Sequence, residues 1–276
     1  MLKFEPKEIY YMNTINCNQK CSKCSHWKKH DKSPRLEPNI LVEALKDVPS
    51  CNDFTIVGGE PLLYANEIIS VLEGIKTTNI RTIIITNAVL LDSNFIDKIK
   101  KYNVHLVFSI DTIDKDFWHF VRGCPSFDVV MKNLEYAFKH LEKPQMSIQS
   151  VLAKETETHI PFVKAFAEKH GLYHSVQDYV QDGFEGSWTV MQYEKIKTND
   201  DKIECFAAGR NLSIMQNGDV RTCFQQNLIN GCEKPLGNLN TDSIKTIIES
   251  NYTKKVINAM KFCNKSCKVL KCNLKR

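Results

Sequence analysis

Three cysteines stand close together near the start of the chain, directly after a predicted strand at residues 8–14. Cys17, Cys21 and Cys24 are separated by three and then two residues. Three thiolates from one short loop hold three corners of a cubane iron–sulfur cluster and leave the fourth iron open to a small-molecule cofactor. A zinc knuckle completed by a nearby histidine has the same spacing, and the last two cysteines alone form a CxxC redox pair. The loop therefore predicts a metal or redox centre, whose type depends on the rest of the chain.

Composition limits the class of protein. The 276 residues suffice for one barrel-sized domain and a small second one, and 42% hydrophobic with 25% charged residues is ordinary for a globular protein. No apolar run reaches the length of a membrane span, and the N-terminus lacks a signal-peptide core, so we expect a cytoplasmic protein with no membrane partner. In a reducing compartment, clustered cysteines among the eleven favour metal binding over disulfides. The formal charge of +5 is spread along the chain, so no nucleic-acid partner is expected.

Strands and helices alternate along the first two thirds of the sequence. After the first strand, apolar patterns predict further strands at 53–57, 80–86, 104–110, 145–152 and 173–180, and helices at 38–48, 64–77, 92–102, 127–141 and 160–170. Six such units indicate an α/β fold with a parallel sheet, a partial (β/α)6 TIM-like barrel. Functional side chains are then expected at the carboxyl ends of the strands.

The pattern changes after the sixth strand. Strands at 212–215 and 220–224 flank Asn217-Gly218, a strong hairpin signal, and an amphipathic helix is predicted at 243–260. We therefore expect a barrel at 1–182, a linker or substrate-facing loop at 183–202, and a small C-terminal α+β domain at 203–276.

The motifs at the strand ends resemble, in order and spacing, the radical S-adenosylmethionine (SAM) superfamily. They are the cysteine loop, Gly58-Gly59-Glu60-Pro61, Thr86-Asn87 and Ser109-Ile110-Asp111. The spacing of the C-terminal cysteines resembles that of the SPASM/Twitch subfamily, whose members carry a Twitch/SPASM-type iron–sulfur domain. These cysteines are Cys205, Cys223, Cys263, Cys267 and Cys272. The joint order of these motifs favours iron–sulfur over zinc.

The resemblance implies that the methionine amine and carboxylate of SAM bind the open iron of a 4Fe–4S cluster. One electron then yields a 5′-deoxyadenosyl radical, which abstracts a hydrogen atom from the substrate. Gly58 and Gly59 let the backbone approach a ligand closely, and by similarity Glu60 helps to receive the amine. Without the cysteine loop, the same four residues would indicate only a strand-to-helix turn.

Other cofactor contacts are predicted further along the barrel. Ser109 and Asp111 lie two apart on one predicted strand and suit a ribose or a methionine head group, although a satisfied turn is the alternative. Arg122 resembles the arginine that pairs with the methionine carboxylate; otherwise it is a surface arginine. Asn87 and Gln149 are expected in the same cofactor site.

Some residues depart from these motifs. Many family members carry an aromatic residue just before the third cysteine, where this chain has Lys23, so adenine stacking is not expected from that position. His26 and Trp27 do not occupy the equivalent place and are expected to pack or face solvent. Cys51 suits a small buried residue, whereas Cys124, beside the arginine, is the candidate catalytic hydrogen-atom donor.

Ligand counting bounds the C-terminal domain. One cubane needs four thiolates and two need eight, but six cysteines lie in the last quarter of the chain. One auxiliary 4Fe–4S cluster fits best, with Cys205, Cys223 and two of the last three cysteines, as the resemblance implies. Cys232 leaves open a second, incompletely ligated cluster.

The expected function is therefore that of a radical SAM oxidoreductase, epimerase or maturase. Sixteen residues precede Cys17, too few for a fused peptide-recognition domain, which slightly favours a small polar, sugar-like substrate. A peptide substrate stays open if a separate recognition protein takes part. We expect flavodoxin or ferredoxin as the electron donor. The alternative function from a different class of protein is a zinc-stabilised nucleic-acid-binding module. Such a module would be colourless, whereas an iron–sulfur protein purified without oxygen would be brown.

Overall fold

The computed structural model describes residues 4–29, 31–179, 186–189, 205 and 207–261. The three cysteines at 263, 267 and 272, and most of the predicted loop at 183–202, lie outside the described residues. The domain boundaries proposed from the sequence stay predictions.

Strands and helices alternate through the first part of the chain, as the sequence predicts. In chain order they are β1 (Glu8–Thr14), α1 (Pro38–Lys46), β2 (Asp53–Gly58), α2 (Ala65–Ile75), β3 (Arg81–Thr86), α3 (Ser93–Ile99), β4 (Val104–Ser109), α4 (Lys115–Arg122), α5 (Phe127–His140), β5 (Met146–Leu152), α6 (Ile160–Lys169) and β6 (Tyr173–Asp178). The second part holds β7 (Asn211–Met215), β8 (Asp219–Arg221), β9 (Gly237–Asn238), α7 (Ile244–Glu249) and α8 (Asn251–Met260).

The nine strands of the described residues belong to one sheet, in the order β6-β5-β4-β3-β2-β1-β7-β8-β9. Strands β1 to β6 pair in parallel, and the sheet does not close, so the partial barrel is confirmed. The hairpin β7–β8 is also confirmed, with Gly218 in the left-handed region at φ 89°. The sequence did not indicate that β7 would pair in parallel with β1, which joins the C-terminal part to the barrel sheet.

The central strands of the sheet form the core of the barrel. The central strands carry fully buried side chains such as Phe54, Ile84, Leu106 and Phe108, each 0% exposed. Helices on the outer face cover them with apolar residues at helical spacing, including Leu41, Leu72 and Ile96. Parallel strands in register place their carboxyl ends at one edge, so the loops after β1, β2, β3 and β4 meet there.

The helix pattern predicted from the sequence needs two corrections. It does not include α4, because eight residues give a weak periodic signal. Asp114 caps the start of this helix, and Gly123 ends it at φ 63°. The single helix predicted at 243–260 is wrong, since Ser250 adopts an extended conformation and its side chain caps α8 by accepting from Thr253 N. In the part of the chain that the structure describes, no helix is long and apolar enough to span a membrane.

Candidate active site

A cavity of about 150 Å³ lies where the loops after β1 to β4 meet. Nine of the predicted site residues line it: Cys17, Cys21, Cys24, Gly58, Gly59, Glu60, Asn87, Ser109 and Arg122. Asp111, Gln149 and Cys124 are not among its lining residues. Residues from four different loops therefore converge on one cavity. In the sequence, only the order of the motifs indicated that these residues would meet.

The cysteine loop folds around its own sulfur atoms. Gln19 N donates to Cys17 Sγ at 3.4 Å, and His26 N donates to Cys24 Sγ at 3.4 Å. Among the described residues, no three cysteine, histidine or carboxylate side chains converge closely enough to hold a single metal ion. The donor set suits a polynuclear cluster, in which each thiolate binds a different iron, better than a mononuclear zinc site.

The buried thiols resist ionisation by themselves. Burial raises the pKa of Cys17 to about 12. Burial also raises the pKa of Cys21, against the opposing charges of Arg122 and Lys23. Because a metal binds the thiolate form, coordination would have to displace these protons.

Gly58 and Gly59 bring the end of β2 against the start of the cysteine loop. Gly59 N donates to Thr14 O at 2.7 Å, and Glu60 N donates to Asn16 O at 2.9 Å. A Cβ atom added at either glycine would overlap these backbone carbonyls. The first role of the glycines is therefore this contact between two loops, which fixes the cysteines relative to β2.

Glu60 ties the neighbouring loops together beneath the cavity. Its carboxylate is 1% exposed and accepts from Leu62 N at 3.0 Å, Thr86 Oγ1 at 2.7 Å and Asn87 N at 2.8 Å. Burial raises the pKa of Glu60, and the hydrogen bonds from Asn87 and Leu62 act against that rise. The carboxyl group makes no direct ion pair with any described residue, and the nearby positive charge of Arg122 also acts against the rise.

Two cations of the cavity lining, Lys23 and Arg122, share one buried carboxylate. Asp111 is 0% exposed, and its Oδ2 lies 2.5 Å from Lys23 Nζ and 2.9 Å from Arg122 Nη2. Its Oδ1 accepts from Val151 N at 2.8 Å. Burial alone would raise the pKa of Asp111, but Arg122 and Lys23 hold it below the usual range. The carboxylate is therefore fully engaged inside the protein and positions the two cations.

Arg122 faces the cysteine loop from the end of α4. Its Nη2 donates to Ser109 O, its Nη1 lies 4.0 Å from Cys21 Sγ, and its buried Nε has no hydrogen-bond partner among the described residues. The surface-arginine alternative is excluded, because the side chain is 3% exposed.

These charges provide a test of whether the cavity fits the amino-acid moiety of SAM. The cavity lining holds the buried carboxyl group of Glu60 and the two cations Lys23 and Arg122, whereas Asp111 supplies one negative charge to those two cations. An α-ammonium and an α-carboxylate on neighbouring atoms complement a lining that offers both a carboxyl group and cations. The residues present therefore fit a zwitterionic methionine moiety beside the cysteine loop.

Several cavity residues were not among the predicted site residues. Lys23 lines the cavity, and so do His26 and Trp27, which were expected to pack or face solvent; Trp27 Nε1 donates to Cys21 O at 3.3 Å. Gln19 is buried, with Oε1 3.6 Å from Cys21 Sγ. Their position between and beside the cysteines was the available signal, but loop sequence does not show which side chains turn inward.

Cys124 and Gln149 lie outside the cavity wall. Cys124 Sγ lies 3.2 Å from Ser126 Oγ, which also accepts from Gln19 Nε2 at 3.0 Å and from Trp118 Nε1 at 3.1 Å. Gln149 pairs with Ser109 across β4 and β5. Both roles suggested by the sequence stay predictions.

Removing Asp111 would test the buried charge cluster. We expect Asp111→Ala to lower the free energy of unfolding by about 3–5 kcal/mol, because Lys23 and Arg122 would remain buried without a counter-charge. The Asp111 pKa is lower in the folded protein, so the stabilisation is present at neutral pH and is lost as the pH falls through that pKa. Denaturant titrations at several pH values would measure both effects. The matched control is Asp128→Ala, whose ion pair with Lys115 is exposed and should change stability little.

The structure describes three of the six cysteines in the second part of the chain. Cys205 is 9% exposed, Cys232 is 1% exposed, and Cys223 is half-buried after β8. Cys205 N donates to Lys261 O at 3.3 Å. Lys261, which contacts Cys205, stands two residues before Cys263 in the sequence.

Comparisons with known proteins agree with this architecture. The family model of the radical SAM superfamily matches residues 14–166, and the SPASM model, described as an iron–sulfur cluster-binding domain, matches residues 205–273. The radical SAM cyclopropyl synthase TigE of Paramaledivibacter caminithermalis is 26% identical over 172 residues. That match covers 54% of this chain and 36% of TigE, so only about a third of the relative's length is matched.

Solved structures share the fold. SuiB of Streptococcus suis bound to S-adenosylmethionine superposes with a TM-score of 0.76 and 18% identity, covering 96% of this chain and 73% of SuiB. SuiB is also known in a complex with its precursor peptide SuiA. The enzyme anSMEcpe with bound AdoMet and the Cp18Cys peptide gives a TM-score of 0.68 at 17% identity, covering 97% of this chain and 88% of anSMEcpe.

Proposed function

Because the chain belongs to the radical SAM superfamily and carries a SPASM domain, we propose that it is an enzyme that modifies a peptide by abstracting a hydrogen atom. When bound, SAM and the cluster would supply the carbon-centred radical for this step. The family match removes the zinc-stabilised nucleic-acid-binding module as the class of this protein. The observation that carries the proposal is one cavity lined by the three cysteines, the carboxyl group of Glu60 and the cations Lys23 and Arg122.

Each group of lining residues has its own role in this proposal. Cys17, Cys21 and Cys24 would hold three irons of the cluster and leave the fourth for the cofactor. The wall of Gly58, Gly59 and Glu60 would receive the ammonium.

Arg122 would pair with the carboxylate, with its partnerless Nε available for that contact. Asn87 and Ser109 would complete the polar lining. Asp111 would act through the cations that it orients, and a contact from Gln149 to the ribose stays a prediction.

The second part of the chain would hold one auxiliary 4Fe–4S cluster. Cys205 and Cys223 would provide two ligands, and two of Cys263, Cys267 and Cys272 the others. The bond from Cys205 N to Lys261 O supports this assignment, because it joins the two ligand segments. Cys124 stays the candidate hydrogen-atom donor, although its present partner is Ser126.

A peptide is the substrate class that we favour. SuiB and anSMEcpe are both known with bound peptides, and this chain shares their fold along almost its whole length. A separate recognition protein would deliver the peptide, and a flavodoxin or ferredoxin would deliver the electron. The sugar-like substrate weighed from the sequence remains the alternative.

The experiment is a deuterium-transfer assay under anaerobic conditions. The reconstituted enzyme is reduced with dithionite, supplied with SAM, and incubated with uniformly deuterated candidate peptides or, in parallel, deuterated sugars. We expect 5′-deoxyadenosine to form and to gain deuterium from a peptide. If only a deuterated sugar transferred deuterium, a sugar would replace a peptide as the proposed substrate. If a protein with full iron content formed no 5′-deoxyadenosine, the proposal that it is a radical SAM enzyme active on SAM would be contradicted.

A further inference from the structure

Lys23 is a cavity residue for which the cysteine spacing gives no reason. It lies between the second and third cysteines, and its side chain is 15% exposed at the cavity wall. A flexible lysine in a surface loop would normally extend into solvent. Here its Nζ lies 2.5 Å from Asp111 Oδ2, so the ammonium is held inside.

A second segment of the chain fixes Lys23 from the other side. The ring centre of Trp188 lies 5.4 Å from Lys23 Nζ, within the range of a cation–π contact. Trp188 is 4% exposed, and its Nε1 donates to Ser22 Oγ at 2.7 Å. The aromatic ring is therefore itself fixed to the cysteine loop.

The backbone of the same segment also contacts the loop. Gly186 N donates to Lys23 O at 2.9 Å, and Ser187 N donates to Ser22 O at 2.8 Å. A Cβ atom at Gly186 would overlap the Ser22 carbonyl, so this approach requires glycine. Both the main chain and the side chain of Lys23 are thus oriented by contacts from outside the cysteine loop.

The ion pairs of Lys23 and Arg122 share a single carboxylate. Asp111 carries one negative charge, and Lys23 and Arg122 carry two positive charges. An ammonium has three N–H donors, and Asp111 uses one of them in the described structure. A cavity wall with a surplus positive charge and donors still available attracts an anion.

We propose that Lys23 is a second cationic contact, beside Arg122, for the carboxylate of the cofactor's methionine moiety, and that Asp111 and Trp188 position it. This inference rests on the proposed function, because it assigns one more residue to the same cofactor. It identifies the residue that stands before the third cysteine as a carboxylate contact.

The test measures ligand binding to the reconstituted holoenzyme by calorimetry. SAM, free methionine and 5′-deoxyadenosine serve as separate probes, because only the first two carry the carboxylate. We expect Lys23→Met to weaken SAM and methionine binding by about ten- to a hundredfold and to leave 5′-deoxyadenosine binding unchanged. Lys23→Arg, which keeps the charge, should recover most of the loss.

Matched variants separate this role from general damage to the loop. Lys20→Met removes an exposed lysine of the same loop and should change no affinity. Trp188→Leu should weaken methionine binding less than Lys23→Met does, since it only releases the ammonium. Iron content and circular dichroism confirm that each variant is loaded and folded.

Two outcomes would overturn the inference. Equal SAM affinity in Lys23→Met and the wild type would show that the lysine makes no cofactor contact, and the wild type would still cleave SAM as proposed. A loss of 5′-deoxyadenosine affinity as large as the loss for methionine would place the contact on the nucleoside. Failure of the wild type itself to bind SAM would contradict the proposed function as well, which distinguishes the two failures.

Discussion

Replacing Cys17, Cys21 and Cys24 together with alanine is expected to abolish SAM cleavage while iron remains in the second part of the chain. The three thiols lie in one loop at one cavity, and under the proposed function they are the protein ligands that leave an iron open to the cofactor. Without them, neither electron transfer to SAM nor its chelation can occur. The yield of 5′-deoxyadenosine under dithionite measures the loss, and iron analysis should show about four fewer iron atoms per chain.

A matched control for the triple variant is Cys51→Ala. Cys51 is also buried, its Sγ donates to Asp53 O at 3.4 Å, and it lies outside every motif of the sequence. This variant should keep its full iron content and its cleavage activity. Cleavage that persisted in the triple variant would show that SAM is activated elsewhere, and the cysteine loop would then be structural.

The barrel was predictable because its signals are local. Short apolar runs separated by helical periodicity predict the strands within one or two residues, and helical crossovers between parallel neighbours place their carboxyl ends at the same edge of the sheet. The order of the motifs then predicts which residues meet. Nine of them do line one cavity.

The interior of the site was less predictable, and Asp111 shows why. Alternation along a strand from 104 to 110 predicted that Ser109 and Asp111 would point the same way towards a ligand. β4 ends at Ser109, however, and the loop beyond it turns the carboxylate into the protein, against Lys23 and Arg122. A pair of this kind joins residues 88 positions apart, and no local pattern encodes it.

The sequence singled out Lys23 only because it stands where many family members have an aromatic residue. Its partner Trp188 comes from a stretch without periodicity, which the sequence assigned to a linker or substrate-facing loop. The contact between them depends on the close approach that Gly186 permits, and single-sequence reasoning does not detect such approaches. Lys23 and Asp111 therefore could not be placed from the sequence, because long-range contacts between loops hold them.

The second large effect is expected in the C-terminal part of the chain. In the described structure, β7 pairs with β1, and α8 runs from Asn251 to Met260, after which Lys261 O accepts from Cys205 N at 3.3 Å. The helix therefore returns the chain to Cys205 just before the last three cysteines. A metal site built from such distant segments couples ligand binding to folding of the segments that it joins.

The double variant Cys205→Ala/Cys223→Ala should therefore lose about four iron atoms per chain, one cubane, and keep the cluster of the cysteine loop. Hydrogen exchange should show that α7 and α8 open more readily, while the central strands of the barrel stay protected, because only the C-terminal part loses a cross-link. The matched control is Cys232→Ala, which removes a buried thiol that one four-ligand cluster does not need; if it also lost iron, a second auxiliary cluster would be indicated. If the double variant kept all its iron, or if single replacements of Cys263, Cys267 and Cys272 each left the absorption spectrum unchanged, these cysteines would be structural and the auxiliary cluster would not exist as proposed.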